Sequence, residues 1–230
     1  MKSFSDHFIA VVLSIMALNS AAAEPAIPLV DIKSVDPTIV IELRYSGPNN
    51  LAGRALYSRG TPALVRPEVA SRLVRAQAFL QRYLYRLKIW DAYRPRSVQA
   101  QLWQLAHNDD YVADPETGPG SMHAWGIAVD ATLTDACNHF VRMPTDFDEL
   151  TPAAMLHYQG TDPITRSHLT LLQKAMGRSG FYGLHTEWWH FIISNWRKYV
   201  PAIETEQVGH KAQQNDDRLV SPNSAQITTP

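Results

Sequence analysis

Gly120-Ser121-Met122-His123-Ala124-Trp125-Gly126-Ile127-Ala128-Val129-Asp130 is the stretch on which the architecture turns. It sets an imidazole and a carboxylate seven residues apart, with a glycine between them. A metal ion bound by both, at about 2.0–2.2 Å, needs their ligand atoms only a few ångströms apart. Seven residues of straight helix separate the two by about 10 Å, and seven of straight strand by over about 20 Å on opposite faces. The chain must therefore bend. Gly126 can supply the bend, with Ile127 to Asp130 returning as a strand.

A second block, Glu187-Trp188-Trp189-His190-Phe191, brings another imidazole and another carboxylate. Together the blocks offer two imidazoles and one carboxylate as ligands. That is the ligand count of a catalytic zinc site with water in the fourth position, and the carboxylate left over can serve as a general base. Trp188 to Ile193 favours a strand, in which residues three apart face opposite sides. Glu187 should then sit just before the strand or on a bulge, so that it and His190 face one pocket. His107, His139, His157, His168, His185 and His210 read as surface or satisfied core residues. Asp130 has a competing role as a cap for backbone amides near Thr132 or Asp135.

Outward from these blocks, short strands mix with helices. Thr38 to Tyr45 is β-branched and reads as a strand stopped by Gly47-Pro48-Asn49-Asn50. Pro67 suits a first helical turn, and apolar residues from Ala70 to Leu87 follow mostly at three- and four-residue steps. Ile89 to Tyr93 is a short strand broken by Arg94-Pro95, and Ser97 can cap a helix carrying Val98, Leu102, Trp103 and Ala106. Ile127 to Leu133 is strand-like, and Thr165 to Met176 is an amphipathic helix closed by Gly177. The absence of a steady βαβ rhythm favours α+β over a doubly wound sheet. Neither a glycine-rich phosphate loop nor a G-x-S-x-G elbow occurs.

Composition narrows the class. Of 230 residues, 45% are hydrophobic and 19% charged, enough for a proper core and against wholesale disorder. A net charge of −1 argues against a nucleic-acid footprint, and the lack of a polybasic run argues against a membrane surface. The one cysteine, Cys137, excludes an intrachain disulfide and a cysteine-based zinc cluster. At the N-terminus, Lys2, the apolar run Phe8 to Leu18 and Ala21-Ala22-Ala23 read as a signal peptide over residues 1–23, cleaved before Glu24. Its apolar run is too short for the roughly 20 helical residues that span a bilayer. Residues 204–230 are polar and Ser/Thr/Pro-rich, and read as a flexible tail. The body, 24–203, shows no internal repeat or linker and is expected to be one domain.

The pair S-x-H-x-x-G-x-A-x-D and E-W-W-H resembles the zinc D-alanyl-D-alanine peptidases, specifically the D-alanyl-D-alanine dipeptidases associated with vancomycin resistance. Tyr45-Ser46 with Asn49-Asn50, Gly53-Arg54 and Leu56-Tyr57 is similar to the opening segment of that family. Asp91-Ala92-Tyr93-Arg94-Pro95 matches its D-x-Y-R-P block, and Phe147-Asp148-Glu149 its F-D-x block. The departures are the export segment and the polar tail.

The resemblance implies one Zn2+ per chain, with His123, Asp130 and His190 as ligands and Glu187 as the catalytic base. It implies that Arg94 stabilises the oxyanion, with a structural ion pair in its turn as the competing role. Asp148 resembles the residue near the substrate's amino terminus, and Ser121 can donate to the substrate's carboxylate; each can instead be a turn residue. The fold expected is a single α+β domain, a small and mostly antiparallel sheet with packed helices and a zinc site at the sheet face. The expected substrate is a D,D-dipeptide, with no nucleic acid, no stable membrane anchor and no protein partner implied. A D,D-carboxypeptidase trimming peptidoglycan stem peptides is the nearer alternative, and a zinc-binding module without catalysis the more distant one. Because an exported dipeptidase cannot deplete a cytoplasmic dipeptide pool, D-alanine salvage or wall turnover is the role expected outside the cytoplasm.

Overall fold

The computed structural model describes residues 28–108 and 110–200 and the backbone of 219–220. Its centre is the strand Ala128–Asp135, which is buried at seven of eight positions and so must be covered on both faces. With strands numbered along the chain, this is β5. It pairs with Tyr85–Asp91 (β4) on one side and Glu187–Ile193 (β7) on the other. Val40–Ile41 (β2) joins β4, and Phe181–Leu184 (β6) joins β7. Leu219–Val220 (β8) pairs with the outer edge of β6. The order β2-β4-β5-β7-β6-β8 is antiparallel except at β2–β4. Val30–Asp31 (β1) and Leu64–Val65 (β3) form a separate two-stranded ribbon.

Among the described residues four α-helices accompany the sheet: Ile32–Val35 (α1), Pro67–Gln81 (α2), Arg96–Ala106 (α3) and Pro163–Arg178 (α4). The apolar face of α2, with Val69, Leu73, Ala76 and Leu80 buried, packs against α4 and β4. Gln77 is fully buried on that face, and its Oε1 accepts from the Leu87 amide at 2.7 Å, tying α2 to β4. The architecture is the expected single-domain α+β fold with a mostly antiparallel sheet. Among the described residues no helix is long and apolar enough to cross a membrane.

Several boundaries differ from the sequence reading. The strand expected over 38–45 is confined to Val40–Ile41, which pair with Lys88 and Ile89 of β4. The chain then coils into a 3-10 turn, Arg44–Ser46, that buries Tyr45. The apolar spacing expected to carry α2 to Leu87 overruns the helix. It ends at Gln81, Leu84 adopts φ +63°, and Leu87 belongs to β4, where burial continues for a different reason. Ser97 does not cap α3. The Val98 and Gln99 amides already close on the Pro95 carbonyl at 2.9 and 3.1 Å, which starts the helix one residue before Ser97. Gly177 lies inside α4, and the chain leaves that helix through Gly180 at φ +88°. The expected signal peptide, 1–23, falls outside the described residues, as does the expected flexible tail, 204–230, apart from β8. At β8, Leu219 and Val220 pair with Leu184 and Gly183 of β6.

Candidate functional site

One row of residues crosses three adjacent strands. Asp130 of β5 stands directly opposite His190 of β7, and directly opposite residues on antiparallel strands project to the same face. On the other side of β5 a register shift between Ile89 and Asp91 brings Asp91 of β4 opposite Asp130.

His123 reaches this row from outside the sheet. Ser121 caps a 3-10 turn, Met122–Trp125, its Oγ accepting from the His123 amide at 3.3 Å. Gly126 then takes φ +66° and its amide bonds back to the His123 carbonyl, reversing the chain into β5. A Cβ at this glycine would also lie 2.6 Å from Leu29 Cδ2. This is the bend that two ligands seven residues apart require.

The result is a buried triad. His123 Nε2 lies 3.1 Å from His190 Nδ1 and 3.4 Å from Asp130 Oδ1, and His190 Nδ1 lies 2.9 Å from Asp130 Oδ1. Their exposures are 1% for His123, 2% for Asp130 and 8% for His190. His123 Nδ1 sits 2.7 Å from the Ala92 carbonyl, which can only accept, so Nδ1 carries the proton and the Nε2 lone pair faces the triad. Burial opposes charge on Asp130, but the two imidazoles outweigh it and hold the carboxyl well below the usual carboxylate range. Burial, against Asp130's pull, lowers His190. A carboxylate and two nitrogens at these spacings suit a small divalent cation. Tetrahedral bonds of about 2.0–2.1 Å put ligand atoms about 3.3 Å apart.

Glu187 stands beside the triad and not within it. Gly183 faces Phe191 while its neighbour Leu184 faces Glu187, so β7 bulges by extra residues between those pairs. The bulge lets Glu187 and His190, three apart, line the same cleft. Glu187 Oε2 is 3.8 Å from His190 Nδ1. Burial pushes its carboxyl well above the ordinary range, with Asp130 and Asp148 adding to the effect and Arg94 opposing it.

Arg94 follows β4 in the turn and is also buried. Its Nε and Nη2 lie 2.8 Å from Asp91 Oδ2, its Nη1 donates to Gln99 Oε1 at 2.9 Å, and Nη2 reaches Asp130 Oδ2 at 3.5 Å. Its guanidinium lies 4.9 Å over the Tyr45 ring. Arg94 is ion-paired in its turn, and it also lines the cleft. Burial opposes its charge, but Tyr45 and Asp91 outweigh that and keep it firmly protonated. Asp91 is fully buried and takes a second hydrogen bond from the Tyr57 hydroxyl at 2.6 Å. The sequence reading assigned no role to Asp91, Gln99 or Tyr57. Asp91 had a signal in its place within D-x-Y-R-P and Tyr57 in the Leu56-Tyr57 pair of the opening segment, whereas Gln99 had none.

The acidic run around Phe147 resolves cleanly. Asp146 pairs with Arg44 at 3.3 Å, and Glu149 accepts from the Asp146 amide. Asp148, at φ +57°, lines the cleft; its carboxyl accepts from the Leu51 amide at 2.9 Å and the Tyr45 hydroxyl at 3.3 Å. Burial raises it to about 6, against the lowering effect of the Leu51 amide and Arg94. Ser121 lines the cleft as well, so all seven sequence-level site residues border one cavity of about 110 Å3.

Comparison with known proteins identifies a family. The family model for D-ala-D-ala dipeptidase (Peptidase_M15) matches residues 26–208. A D-alanyl-D-alanine dipeptidase of Escherichia coli (strain K12) is 33% identical over 171 residues, covering 74% of this chain and 87% of the relative. One from Enterococcus faecalis (strain ATCC 700802 / V583) is 28% identical over 142 residues, covering 54% and 70%. Among solved structures, a zinc complex of a vancomycin resistance D,D-pentapeptidase shares 14% identity at a TM-score of 0.39, covering 60% of this chain and 77% of that one. That likeness is too slight to build on.

Proposed function

The chain belongs to the D-ala-D-ala dipeptidase family, and on that premise we propose that it hydrolyses D-alanyl-D-alanine to two D-alanines with one zinc ion held by His123, Asp130 and His190. The observation that carries the proposal is the buried triad, 2.9–3.4 Å between its ligand atoms, with a further carboxyl held just outside it. When bound, zinc would supply Lewis acidity to the scissile carbonyl and to a water.

Glu187 Oε2 takes the proton of the attacking water as its oxygen bonds to the carbonyl carbon. It returns that proton to the amine nitrogen as the C–N bond breaks. The Arg94 guanidinium, already fixed by Asp91 and Gln99, presents its remaining N–H capacity to the oxyanion without reorganising. Asp148 pairs with the substrate ammonium. The Ser121 Oγ accepts from a backbone amide, which leaves its hydroxyl proton for the substrate carboxylate. The cavity, about 110 Å3, is well under the roughly 300–1,000 Å3 of sites for larger ligands, and favours a short peptide.

The test is release of D-alanine by the zinc-loaded protein from the free dipeptide and from a pentapeptide stem. Turnover of the dipeptide alone is expected. Preference for the pentapeptide would make the protein a D,D-carboxypeptidase, and no turnover of either would leave only a zinc binder. We place the reaction outside the cytoplasm, in D-alanine salvage or wall turnover, because residues 1–23 read as a signal peptide. Mass spectrometry of exported protein beginning at Glu24 would support that placement, and an intact Met1 there would oppose it.

A further inference from the structure

Gln99 is 2% exposed and both ends of its amide are engaged. Its Oε1 accepts from Arg94 Nη1 at 2.9 Å, and its Nε2 donates to the Ala113 carbonyl at 2.7 Å. Neither bond can be reversed, since a guanidinium only donates and a carbonyl only accepts. The amide is thus held in one orientation, and it links two parts of the cleft. One is the cation. The other is the wall Tyr111–Ala113, which lines the same cavity and is tied at its far side by the Thr186 hydroxyl donating to the Asp110 carbonyl at 3.1 Å. Val112 is buried in the core, so the wall is anchored behind as well as in front.

We propose that Gln99 is a positioning residue that aims Arg94 and holds the Tyr111–Ala113 wall against the cleft, so that one side chain sets both transition-state stabilisation and the length of peptide admitted. The inference rests on the dipeptidase reading. Loss of the amide leaves the guanidinium held by Asp91 and Asp130 through Nε and Nη2 alone, with Nη1 no longer pinned, and takes the Gln99 donor from the Ala113 carbonyl. The first effect falls on kcat, because a misaimed cation matters most when the oxyanion is present. The second widens the cleft.

The experiment compares zinc-loaded parent, Gln99→Met, Arg94→Ala and the double variant on D-alanyl-D-alanine and on the same dipeptide extended at its amino end by one residue. Methionine keeps the length and bulk of the side chain and removes its polar atoms. Gln99→Met is expected to keep its metal and lose about 10- to 100-fold in kcat on the dipeptide, with a smaller change in KM. Added to Arg94→Ala it should cost little more, because it acts through that residue. It should also raise the ratio of extended to plain dipeptide kcat/KM by about 10-fold and speed hydrogen exchange at Tyr111–Ala113, neither of which Arg94→Ala should do.

Full multiplication of the two losses would overturn the aiming role, and an unchanged ratio and exchange rate would overturn the wall role. Should Gln99→Met fail to fold, Gln99→Glu keeps an acceptor for Arg94 but has no donor for Ala113, and must show the ratio change. If the parent turns over neither peptide, the dipeptidase reading itself fails and takes this inference with it. A parent active on the dipeptide with an indifferent Gln99 refutes the inference alone.

Discussion

What each carboxyl touches sets its task in the cleft. Asp130 is gripped by two imidazoles, whereas Glu187 has no hydrogen-bond partner among the triad and stands 3.8 Å from His190. Glu187→Ala should therefore retain stoichiometric zinc and lose about 10²- to 10⁴-fold in turnover, measured by metal analysis beside D-alanine release. Loss of the metal would make Glu187 a ligand instead. Asp148 carries a different prediction. With its carboxyl raised to about 6 by burial, it is neutral below that pH and offers the substrate ammonium no charge. The KM for the dipeptide should rise as pH falls below about 6, and Asp148→Asn should have a raised KM without that dependence. The same shift bears on stability. The unfolded carboxyl ionises near its ordinary value of 3.8, so the contribution of Asp148 to stability falls as pH climbs from there to about 6 and levels off above it. The ligands and Glu187 were legible because the chemistry sits in two short blocks. Gln99 was not, and neither was the partner of Tyr57, because each acts only by reaching a group that the fold delivers, Tyr57 across 34 residues to Asp91.

Elements matter where they depart from regularity. Two ligands seven residues apart can meet only if the chain reverses, and Gly126 does this at φ +66° with Leu29 packed where a Cβ would go. Gly126→Ala should cost about 1–2 kcal/mol from the left-handed backbone alone. It should also weaken zinc binding, because His123 would be displaced, and both effects are read by denaturant midpoint and by competition with a chromophoric chelator. Unchanged zinc affinity would show that the turn tolerates the shift. The bulge in β7 was foreseeable for a related reason: Glu187 and His190 cannot share a face of an ideal strand. Boundaries were harder to read. Helical spacing ran past Gln81 because β4 buries Leu87 and Ile89 on its own account, and apolar spacing alone does not say which element provides the burial.

At the scale of the whole molecule, the sheet brings distant chain segments into one site, and the consequence reaches beyond chemistry. Asp130 and His190 are 60 residues apart in sequence, and His123 and His190 are 67 apart. A single ion shared by all three closes those loops as a cross-link would, in a chain whose one cysteine can form no intrachain bridge. Metal at about 1,000 times its dissociation constant adds on the order of 4 kcal/mol to folding, which for a domain of this size is on the order of 10 °C in Tm. Chelation should therefore lower Tm by about that much, as measured by calorimetry, and a Tm indifferent to the chelator would show that no ion spans the three segments. The zinc would then be a fastener as well as a reagent, and a supply of metal too poor for catalysis would first be felt as faster proteolysis of the protein itself.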